Sequence, residues 1–227
     1  MFFDLHVHSD ISPCSNLPLD QILENAGKRG LDGVCITDHH SVLARRQIKE
    51  GLQTNGLRVF VGMEYHTADG DFLLFGAPDD LPEGIDAPRL LRSIAQAGGA
   101  VVAAHPFRRA RPVSESVIRN NLCRIVESVN GRNSDSENQQ VALWRRRYDL
   151  VECAGSDAHT LAELGKLKTR FTVPVNTMAD LVHALNRGFC APYTNGRTVP
   201  GGLCRTACQQ AAFKKETLEN RQTPFMQ

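Results

Sequence analysis

The sequence predicts an α/β fold, in which strands and helices alternate along one large domain. Apolar segments rich in β-branched residues recur along the chain of 227 residues, and segments with helical spacing lie between them. Such alternation is typical of a parallel sheet covered by helices. The predicted strands are Phe2–Val7, Gly33–Thr37, Arg58–Met63, Ala100–Ala104, Arg124–Val129, Leu150–Ala154 and Arg170–Val173. About seven strand–helix units favour a small α/β barrel over an open sheet, which is the alternative.

The helices are predicted from apolar spacing and from residues that start or stop a helix. The first is placed at Pro18–Arg29, because Pro18 suits a first helical turn and Gly30 suits a helix end. The other predicted helices are Ala87–Ala97, Ser114–Asn121, Glu137–Arg147 and Met178–Asn186. Between the third and fourth strands, Gly70–Gly76 is expected to form an additional hairpin strand.

Composition excludes several classes of protein. The 26 Lys and Arg residues balance 25 Asp and Glu residues, and a net charge of +1 argues against a general nucleic-acid-coating protein. No apolar segment approaches the roughly 20 residues that span a bilayer, and we expect no signal peptide. The seven cysteines are odd in number and irregularly spaced, so we expect reduced thiols and a cytoplasmic location.

The segment from Thr194 onward differs in composition from the rest of the chain. It opens with the turn-rich TNGRTVPGG, and 203–220 is polar with a weak helical pattern. We therefore divide the chain into a domain at 1–192 and a peripheral extension at 193–227, expected to be a short helix or a poorly ordered end. Cys204 and Cys208 have no second cysteine pair nearby, which argues against a zinc site there.

Histidines and acids lie at the ends of the predicted strands. Residues two apart in a strand point to the same face, so His6 and His8 are expected to converge. Seven of the eight histidines lie at strand ends, and only His183 lies in a helical pattern. The side chains placed in this way include His6, His8, His39, Glu64, His105, Asn130, Asp157 and His159. Because the C-terminal ends of parallel strands meet at one rim, we expect an active site there.

These residue types favour a metal centre. Imidazole and carboxylate ligands without thiolate clusters suit Zn, Mn or Fe. Five histidines with one Glu and one Asp are too many ligands for a single tetrahedral ion, so two or three divalent ions are expected. A carboxylate such as Glu64 can bridge two ions, and the bridged water is then a hydroxide nucleophile near neutral pH. This chemistry suits the hydrolysis of phosphate esters.

Six motifs within about residues 1–192 resemble, in order, those of the PHP (polymerase and histidinol phosphatase) family. They are DLHVHS (Asp4–Ser9), ITDHH (Ile36–His40), GMEYHT (Gly62–Thr67), AHPFR (Ala104–Arg108), ESVNGR (Glu127–Arg132) and GSDAHT (Gly155–Thr160). The resemblance implies a distorted seven-stranded (β/α)7 TIM-like barrel, two or three metal ions and phosphoesterase activity. It also implies the ligands: His6, His8, Glu64 and Asp157 for one ion, Glu64 and His105 for a second, and His39 and His159 for a third.

Two positions depart from the family pattern. Many members carry a His or Asp a few residues after the HxH pair, where this chain has Cys14 as the nearest soft ligand and Asp10 or water as substitutes. Members often carry a His after the fifth strand, where this chain has Asn130. A neutral amide is a poor ligand, so the second site is expected to be weaker or completed differently, with His66 as one substitute.

The sequence therefore predicts a metal-dependent phosphoric ester hydrolase. Its substrate is expected to be a small phosphorylated metabolite or a nucleotide, with no membrane partner and no stable nucleic-acid partner. The predicted catalytic residues are Asp157, His159 and Arg108. Arg108, or alternatively Arg109 or Arg132, is placed to bind a substrate phosphate. The alternatives are an exonuclease of the polymerase-associated kind and a regulatory module that binds metal without turnover.

Overall fold

The computed structural model describes residues 1–194 and 197–198, which form the α/β fold that the sequence predicts. The strands are β1 (Phe2–Val7), β2 (Gly33–Ile36), β3 (Gly51–Leu52), β4 (Arg58–Val61), β5 (Met63–Thr67), β6 (Gly70–Phe75), β7 (Ala100–Ala103), β8 (Ile125–Asn130), β9 (Val151–Gly155), β10 (Lys168–Phe171), β11 (Cys190–Thr194) and β12 (Arg197–Thr198). The helices are α1 (Leu19–Asn25), α2 (Ala87–Gln96), α3 (Glu115–Arg119), α4 (Asp135–Arg145) and α5 (Met178–Asn186). Each predicted strand and helix overlaps an observed element, but the predicted strand Arg58–Met63 and the predicted helix Pro18–Arg29 are each divided into two segments.

The strands form two mixed sheets. The first sheet has the order β12-β11-β10-β1-β2-β4-β3, and the second has the order β5-β6-β7-β8-β9. Strands β1, β2 and β4 run parallel, as do β7, β8 and β9, whereas the remaining pairs are antiparallel. A closed ring of seven strands, expected from the alternation of strands and helices, is not observed among the residues described.

The chain passes from one sheet to the other at Gly62. The sequence predicts one strand over Arg58–Met63, but β4 ends at Val61 and β5 begins at Met63. A Cβ atom at Gly62 would lie 2.7 Å from the carbonyl oxygen of Leu74, so only glycine allows this close approach of two backbones. Because β5 then forms an antiparallel hairpin with β6, the parallel order of a regular barrel is interrupted here.

Backbone contacts join the two sheets at the ends of their parallel strands. Isolated bridges pair Val7 with Ala158 and His39 with Glu64. The backbone N–H of His8 also donates to the carbonyl of Ala158 over 2.9 Å. The ends of β1 and β2 therefore lie beside the loop after β9 and beside β5.

Helices cover the outer faces, and both sheets contribute to a shared apolar core. The core between them contains fully buried aromatic rings of Phe3, Phe60, Phe75 and Phe171. Helices α2, α3 and α4 pack on the second sheet, where the single tryptophan, Trp144, is buried. Helix α1 packs on the first sheet.

Helix ends follow local hydrogen-bonding rules. Ser134 and Glu137 form a capping box at the start of α4, which places that start two residues before the predicted one. Helix α1 ends at Asn25, and a 3-10 turn over Gly27–Arg29 continues to Gly30, whose φ is 72°. The predicted helix Pro18–Arg29 is therefore two short segments that end at a left-handed glycine.

The structure bears on the predicted thiols, on membrane-spanning helices and on the predicted C-terminal extension. Within the described ranges the cysteines are free thiols, namely Cys14, Cys35, Cys123, Cys153 and Cys190. The helices in the described part of the chain are all too short or too polar to cross a membrane. The predicted extension at 193–227, with Cys204 and Cys208, lies outside the described residues except for 193–194 and 197–198.

Gly33 lies where β2 crosses the ring of Phe3 on β1. A Cβ atom there would lie 2.2 Å from Cε1 of Phe3, which is fully buried against Phe60 and Phe171. We expect Gly33→Ala to lower the free energy of unfolding by about 1–3 kcal/mol, measured by urea denaturation. The matched control is Gly27→Ala, because a Cβ atom at Gly27 would meet no atom within 4 Å. Equal unfolding free energies for the two variants would contradict this account of the β1–β2 contact.

Candidate metal centre

Four side chains from three parts of the fold converge on one point. His6 Nε2 and His8 Nε2, at the end of β1, are 3.0 Å apart. Asp157 Oδ1, after β9, lies 3.6 and 3.3 Å from these nitrogens. Glu64 Oε2, on β5, lies 3.4 and 3.3 Å from them. Ligand atoms about 2.1 Å from a tetrahedral ion lie about 3.4 Å from one another, so the spacing of these four atoms fits one ion.

Hydrogen bonds turn the Nε2 lone pairs of both histidines toward this point. His6 Nδ1 donates to the Glu127 carboxylate over 3.1 Å. His8 Nδ1 lies 3.4 Å from Ser12 Oγ, which itself donates to Asp38. Each Nδ1 therefore carries the proton, as in metal-binding histidines that are held by a second hydrogen bond. Two lone pairs 3.0 Å apart repel each other unless a proton or a cation lies between them.

The second oxygen of Glu64 faces a different group of side chains. Oε1 lies 2.9 Å from His105 Nε2, whereas Oε2 faces His6 and His8. Asp71 Oδ2 lies 3.8 Å from the same nitrogen of His105. Glu64, Asp71 and His105 are all buried, and their ligand atoms lie close enough to hold an ion. Glu64 therefore stands between two candidate sites, with one oxygen at each.

A third group consists of imidazoles alone. His39, after β2, and His159, after β9, flank His8 with ring centroids 4.5 and 4.4 Å from its own. His159 Nδ1 donates to the carbonyl of Asp157 over 2.9 Å, which leaves its Nε2 as an acceptor. His39 Nδ1 lies 3.1 Å from Glu64 Oε2, so this group adjoins the first. Burial lowers the pKa of His39 to about 4 and also lowers the pKa of His159, so both rings are neutral near pH 7.

Glu127 supports the ligands from the side away from the cavity. Besides accepting from His6, its carboxylate accepts from the backbone N–H of His105 over 2.9 Å and from Asn130 Nδ2 over 2.8 Å. His105 and Asp157 adopt left-handed backbone conformations, with φ of 30° and 55°. Such conformations cost about 1–3 kcal/mol each and persist where the surroundings fix them. Glu127 is one of the groups that fix His105.

Charges within the cluster shift its pKa values in opposite directions. Burial raises the pKa of Glu64 and Asp157, but His6 and the hydrogen bonds from neighbouring histidines outweigh it and lower both pKa values well below the usual range. Burial lowers the pKa of His6, but the charges of Asp157, Glu127 and Glu64 raise it well above the usual value. The carboxylates are therefore ionised at neutral pH, and the cluster attracts positive charge.

Members of all three groups line a cavity of about 350 Å³, whose wall also carries Arg108, Arg111 and Arg132. Arg108 Nη2 donates to Asp157 Oδ2 over 2.6 Å and to Asn130 Oδ1 over 2.8 Å. Its Nε donates to Asn133 over 3.0 Å. Among the described residues, Nη1 of Arg108 has no hydrogen-bond partner. Of the three predicted alternatives, Arg108 and Arg132 line the cavity and Arg109 does not, and Arg108 is the one that contacts Asp157.

The structure brings the seven predicted metal ligands into these three groups, namely His6, His8, His39, Glu64, His105, Asp157 and His159. The substitutes considered for missing ligands lie elsewhere: Cys14 lines the cavity outside the groups, and Asp10 is exposed. Sequence reasoning missed the roles of Asp71 and Glu127. The available signal was that each is an acid within an apolar strand, where an unpaired charge is costly to bury.

Parts of this sequence are similar to a protein family and to two archaeal proteins. The profile of a family described as PHP-associated matches residues 135–190. The uncharacterized protein MJ1587 of Methanocaldococcus jannaschii is 29% identical over 46% of this chain and 67% of its own length. MJ0417 of the same organism, also uncharacterized, is 26% identical over 76% of this chain and 71% of its own length.

Solved structures of low sequence identity share the fold. PsfC from Pseudomonas syringae has a TM-score of 0.69 and 19% identity, over 95% of this chain and 98% of PsfC. A two-domain protein from Bacteroides vulgatus, described as containing a predicted PHP-like metal-dependent phosphoesterase, has a TM-score of 0.63 and 19% identity over 86% of this chain and 64% of its own. The PHP-associated match and the shared fold support the resemblance to the PHP family. The lesion-specific endonuclease EndoQ from Pyrococcus furiosus also shares the fold, with a TM-score of 0.63 and 18% identity over 82% of this chain and 56% of its own.

The PHP-associated match covers only part of the candidate metal centre. Residues 135–190 run from α4 to the first residue of β11 and include Asp157 and His159. The other members of the three groups lie nearer the N-terminus, in the PHP-like motifs and in β6. The candidate metal centre is therefore built from side chains spread over most of the described chain.

We expect Glu64→Gln to lose more than one bound metal ion per chain, because the two oxygens of Glu64 face two groups of ligands. Elemental analysis after metal reconstitution and gel filtration measures the loss. His183→Ala is the control and should keep its full metal content, since His183 lies on α5 and outside the three groups. Loss of one ion or none from Glu64→Gln would contradict the hypothesis that this carboxylate bridges two ions.

Proposed function

We propose that this protein is a metal-dependent hydrolase of phosphoester bonds that acts on a small phosphorylated metabolite or a nucleotide. The observation that carries the proposal is the position of Glu64, whose Oε2 faces His6 and His8 while Oε1 faces His105. A carboxylate between two ions is typical of sites that stabilise both the attacking and the leaving oxygen in displacement at phosphorus. The fold likeness to a PHP-like phosphoesterase supports the same reaction class.

Two or three divalent ions of Zn, Mn or Fe fit the side chains present. Around the first group, donor separations of 3.0 to 3.6 Å match those around one ion. The residues that would hold the ions are His6, His8, His39, Glu64, His105, Asp157 and His159. When bound, such ions supply a water of lowered pKa and neutralise charge on phosphate oxygens.

Arg108 would bind the substrate phosphate. Three of its N–H groups are used on Asp157, Asn130 and Asn133, which fixes the plane of the guanidinium. Because a guanidinium has five N–H donors, the two on Nη1 are left to face a ligand. Charge-assisted hydrogen bonds to phosphate oxygens strengthen as charge develops on them, so Arg108 would stabilise the transition state.

His159 would act beside Asp157 at the mouth of the cavity. Its Nδ1 proton is held by the carbonyl of Asp157, and its ring lines the cavity with Nε2 as an acceptor. A neutral imidazole in this position can accept a proton or bind an ion of the third group with His8 and His39. Asp157 contributes through the first group and is fixed there by Arg108.

We also propose that the two sheets correspond to the distorted (β/α)7 barrel that the PHP resemblance implies. The bridges from Val7 to Ala158 and from His39 to Glu64 lie where such a barrel would close. The antiparallel hairpin after Gly62 would then be the main distortion of the ring.

A nuclease is the second candidate function. Endonuclease Q shares the fold, and one of its structures holds duplex DNA with an abasic lesion at the active site. For this chain, a net charge of +1 and a cavity of about 350 Å³ favour a small substrate over a long polyanion. A metal-binding module without turnover is the third candidate, based on Cys14 and Asn130 at variant positions.

We expect Mn²⁺-reconstituted protein to hydrolyse p-nitrophenyl phosphate, and His8→Ala and Asp157→Ala to abolish this activity, because both remove atoms of the first group. The rate of p-nitrophenol release measures activity, and His183→Ala is the matched control. Metal retention without turnover in the unaltered protein would favour the regulatory module. If short oligonucleotides gave a higher kcat/KM than nucleotides or histidinol phosphate, the nuclease would replace the phosphatase.

Arg108→Ala is expected to lower kcat/KM by about 10²- to 10³-fold, since one charged donor facing the transition state is lost. Steady-state kinetics on p-nitrophenyl phosphate measure this, with metal content determined in parallel because Arg108 also contacts Asp157. Arg109→Ala is the control, because Arg109 lies outside the cavity wall. A similar loss in both variants would argue against a specific phosphate contact at Arg108.

A further inference from the structure

The second group of candidate ligands, Glu64, Asp71 and His105, contains one residue that lies outside the PHP-like motifs, namely Asp71. Many PHP proteins carry a His at the position of Asn130, and the amide of Asn130 is a poor substitute. We propose that Asp71 is a ligand of the second metal ion, together with Glu64 and His105. This inference rests on the proposed function and identifies which side chain completes the site in this protein.

Strand β6 brings Asp71 beside both other ligands. Glu64 pairs with Leu73 in the β5–β6 hairpin, so Asp71, two residues before Leu73, shares the face of Glu64. On the other side of β6, the backbone N–H of Ala104 donates to the carbonyl of Asp71 over 3.0 Å, and His105 is the next residue. The hairpin therefore fixes Asp71 between the strand that carries Glu64 and the strand that ends at His105.

One oxygen of Asp71 is fixed and the other faces the site. His66 Nδ1 lies 2.5 Å from Oδ1, and the same carboxylate is only 2% exposed. Oδ2 lies 3.8 Å from His105 Nε2 and 3.4 Å from Arg111 Nη1. A ligand carboxylate held by a hydrogen bond at its other oxygen is common around metal ions. His66 is therefore a positioning residue for Asp71 and takes this place instead of being a ligand itself.

Arg111 compensates the buried charge of Asp71 only weakly. Its side chain is 43% exposed, and its contact with Asp71 is long for a charge-assisted hydrogen bond. An exposed partner of this kind contributes little, and His66, the other close partner of Asp71, contacts Oδ1 and not Oδ2. A cation shared with Glu64 and His105 accounts for the burial of Asp71 better than Arg111 does.

Asn130 is committed to other partners. Its Oδ1, the atom that could bind a metal, accepts from Arg108 Nη2 over 2.8 Å and from the backbone N–H of Arg132 over 2.9 Å. Its Nδ2 donates to Glu127 over 2.8 Å. The side chain that replaces the family's histidine therefore supports the loop and the arginine, and the ligand comes from β6 instead of β8.

The donor set of the second site differs from that of the first. Two carboxylates and one imidazole are harder ligands than the pair of imidazoles and pair of carboxylates around the first point, and they suit Mn²⁺. We therefore use Mn²⁺ as the probe. Asp69, a partly exposed acid on the same hairpin and outside the three groups, provides the matched control.

The test compares unaltered protein, Asp71→Asn and Asp69→Asn after reconstitution with Mn²⁺ and gel filtration. Asp71→Asn is expected to bind one Mn²⁺ fewer per chain, since it replaces a carboxylate by an amide of the same shape. Asp69→Asn is expected to match the unaltered protein. The electron paramagnetic resonance spectrum should change in parallel, from coupled Mn²⁺ pairs to isolated ions. Full Mn²⁺ content in Asp71→Asn would overturn the assignment.

Asp71→Ser provides a second arm in case Asp71→Asn does not fold, which circular dichroism would reveal. Loss of one Mn²⁺ per chain in Asp71→Ser supports ligation by Asp71, and full Mn²⁺ content overturns it. Phosphatase assays separate this inference from the proposed function. If the unaltered protein binds Mn²⁺ without turnover, the function fails, whereas the metal counts still decide the role of Asp71.

Discussion

Glu64 makes the contacts on which both the fold and the candidate site depend. Its backbone N–H donates to the carbonyl of Asp38 over 3.1 Å, and its carbonyl accepts from His40 over 3.0 Å, so it ties β5 to the end of β2 across the boundary between the sheets. Its side chain joins the groups around His6 and His105. A small displacement of one sheet against the other would separate the ligands, so the position of the sheets and the geometry of the site are a single constraint.

Buried acids that do not face the cavity hold this arrangement together. Asp4 accepts from the backbone N–H groups of Ser156 and Gly165, each over 2.9 Å, and so joins β1 to the loop that carries Asp157. Burial raises the pKa of Asp4 to about 6, although these hydrogen bonds oppose the shift. Glu127 likewise positions His105 by accepting a hydrogen bond from its backbone N–H. The ligands are thus positioned by a surrounding layer of polar contacts, which is general for metal sites.

Much of the site could be predicted from the sequence, because strand ends converge in α/β folds. The bounds of β1 were predicted correctly, since apolar residues and histidines follow each other there with the strand period. The division of the strands into two sheets could not be predicted in the same way. The break at Gly62 depends on the close approach of the Leu74 carbonyl on β6, which the local sequence does not reveal. Asp71 was missed for a related reason: it lies within an antiparallel hairpin strand instead of after a parallel one.

The concentration of buried acids around the cavity has a consequence for the folding of the chain. Glu64, Asp71, Glu127 and Asp157 are each no more than 2% exposed, and they are held within one small volume. Cations that bind only the folded state stabilise it by mass action, by about 2.7 kcal/mol for a site with free ion at 100 times its dissociation constant. A supply of such cations would therefore also raise the fraction of the chain that resists proteolysis.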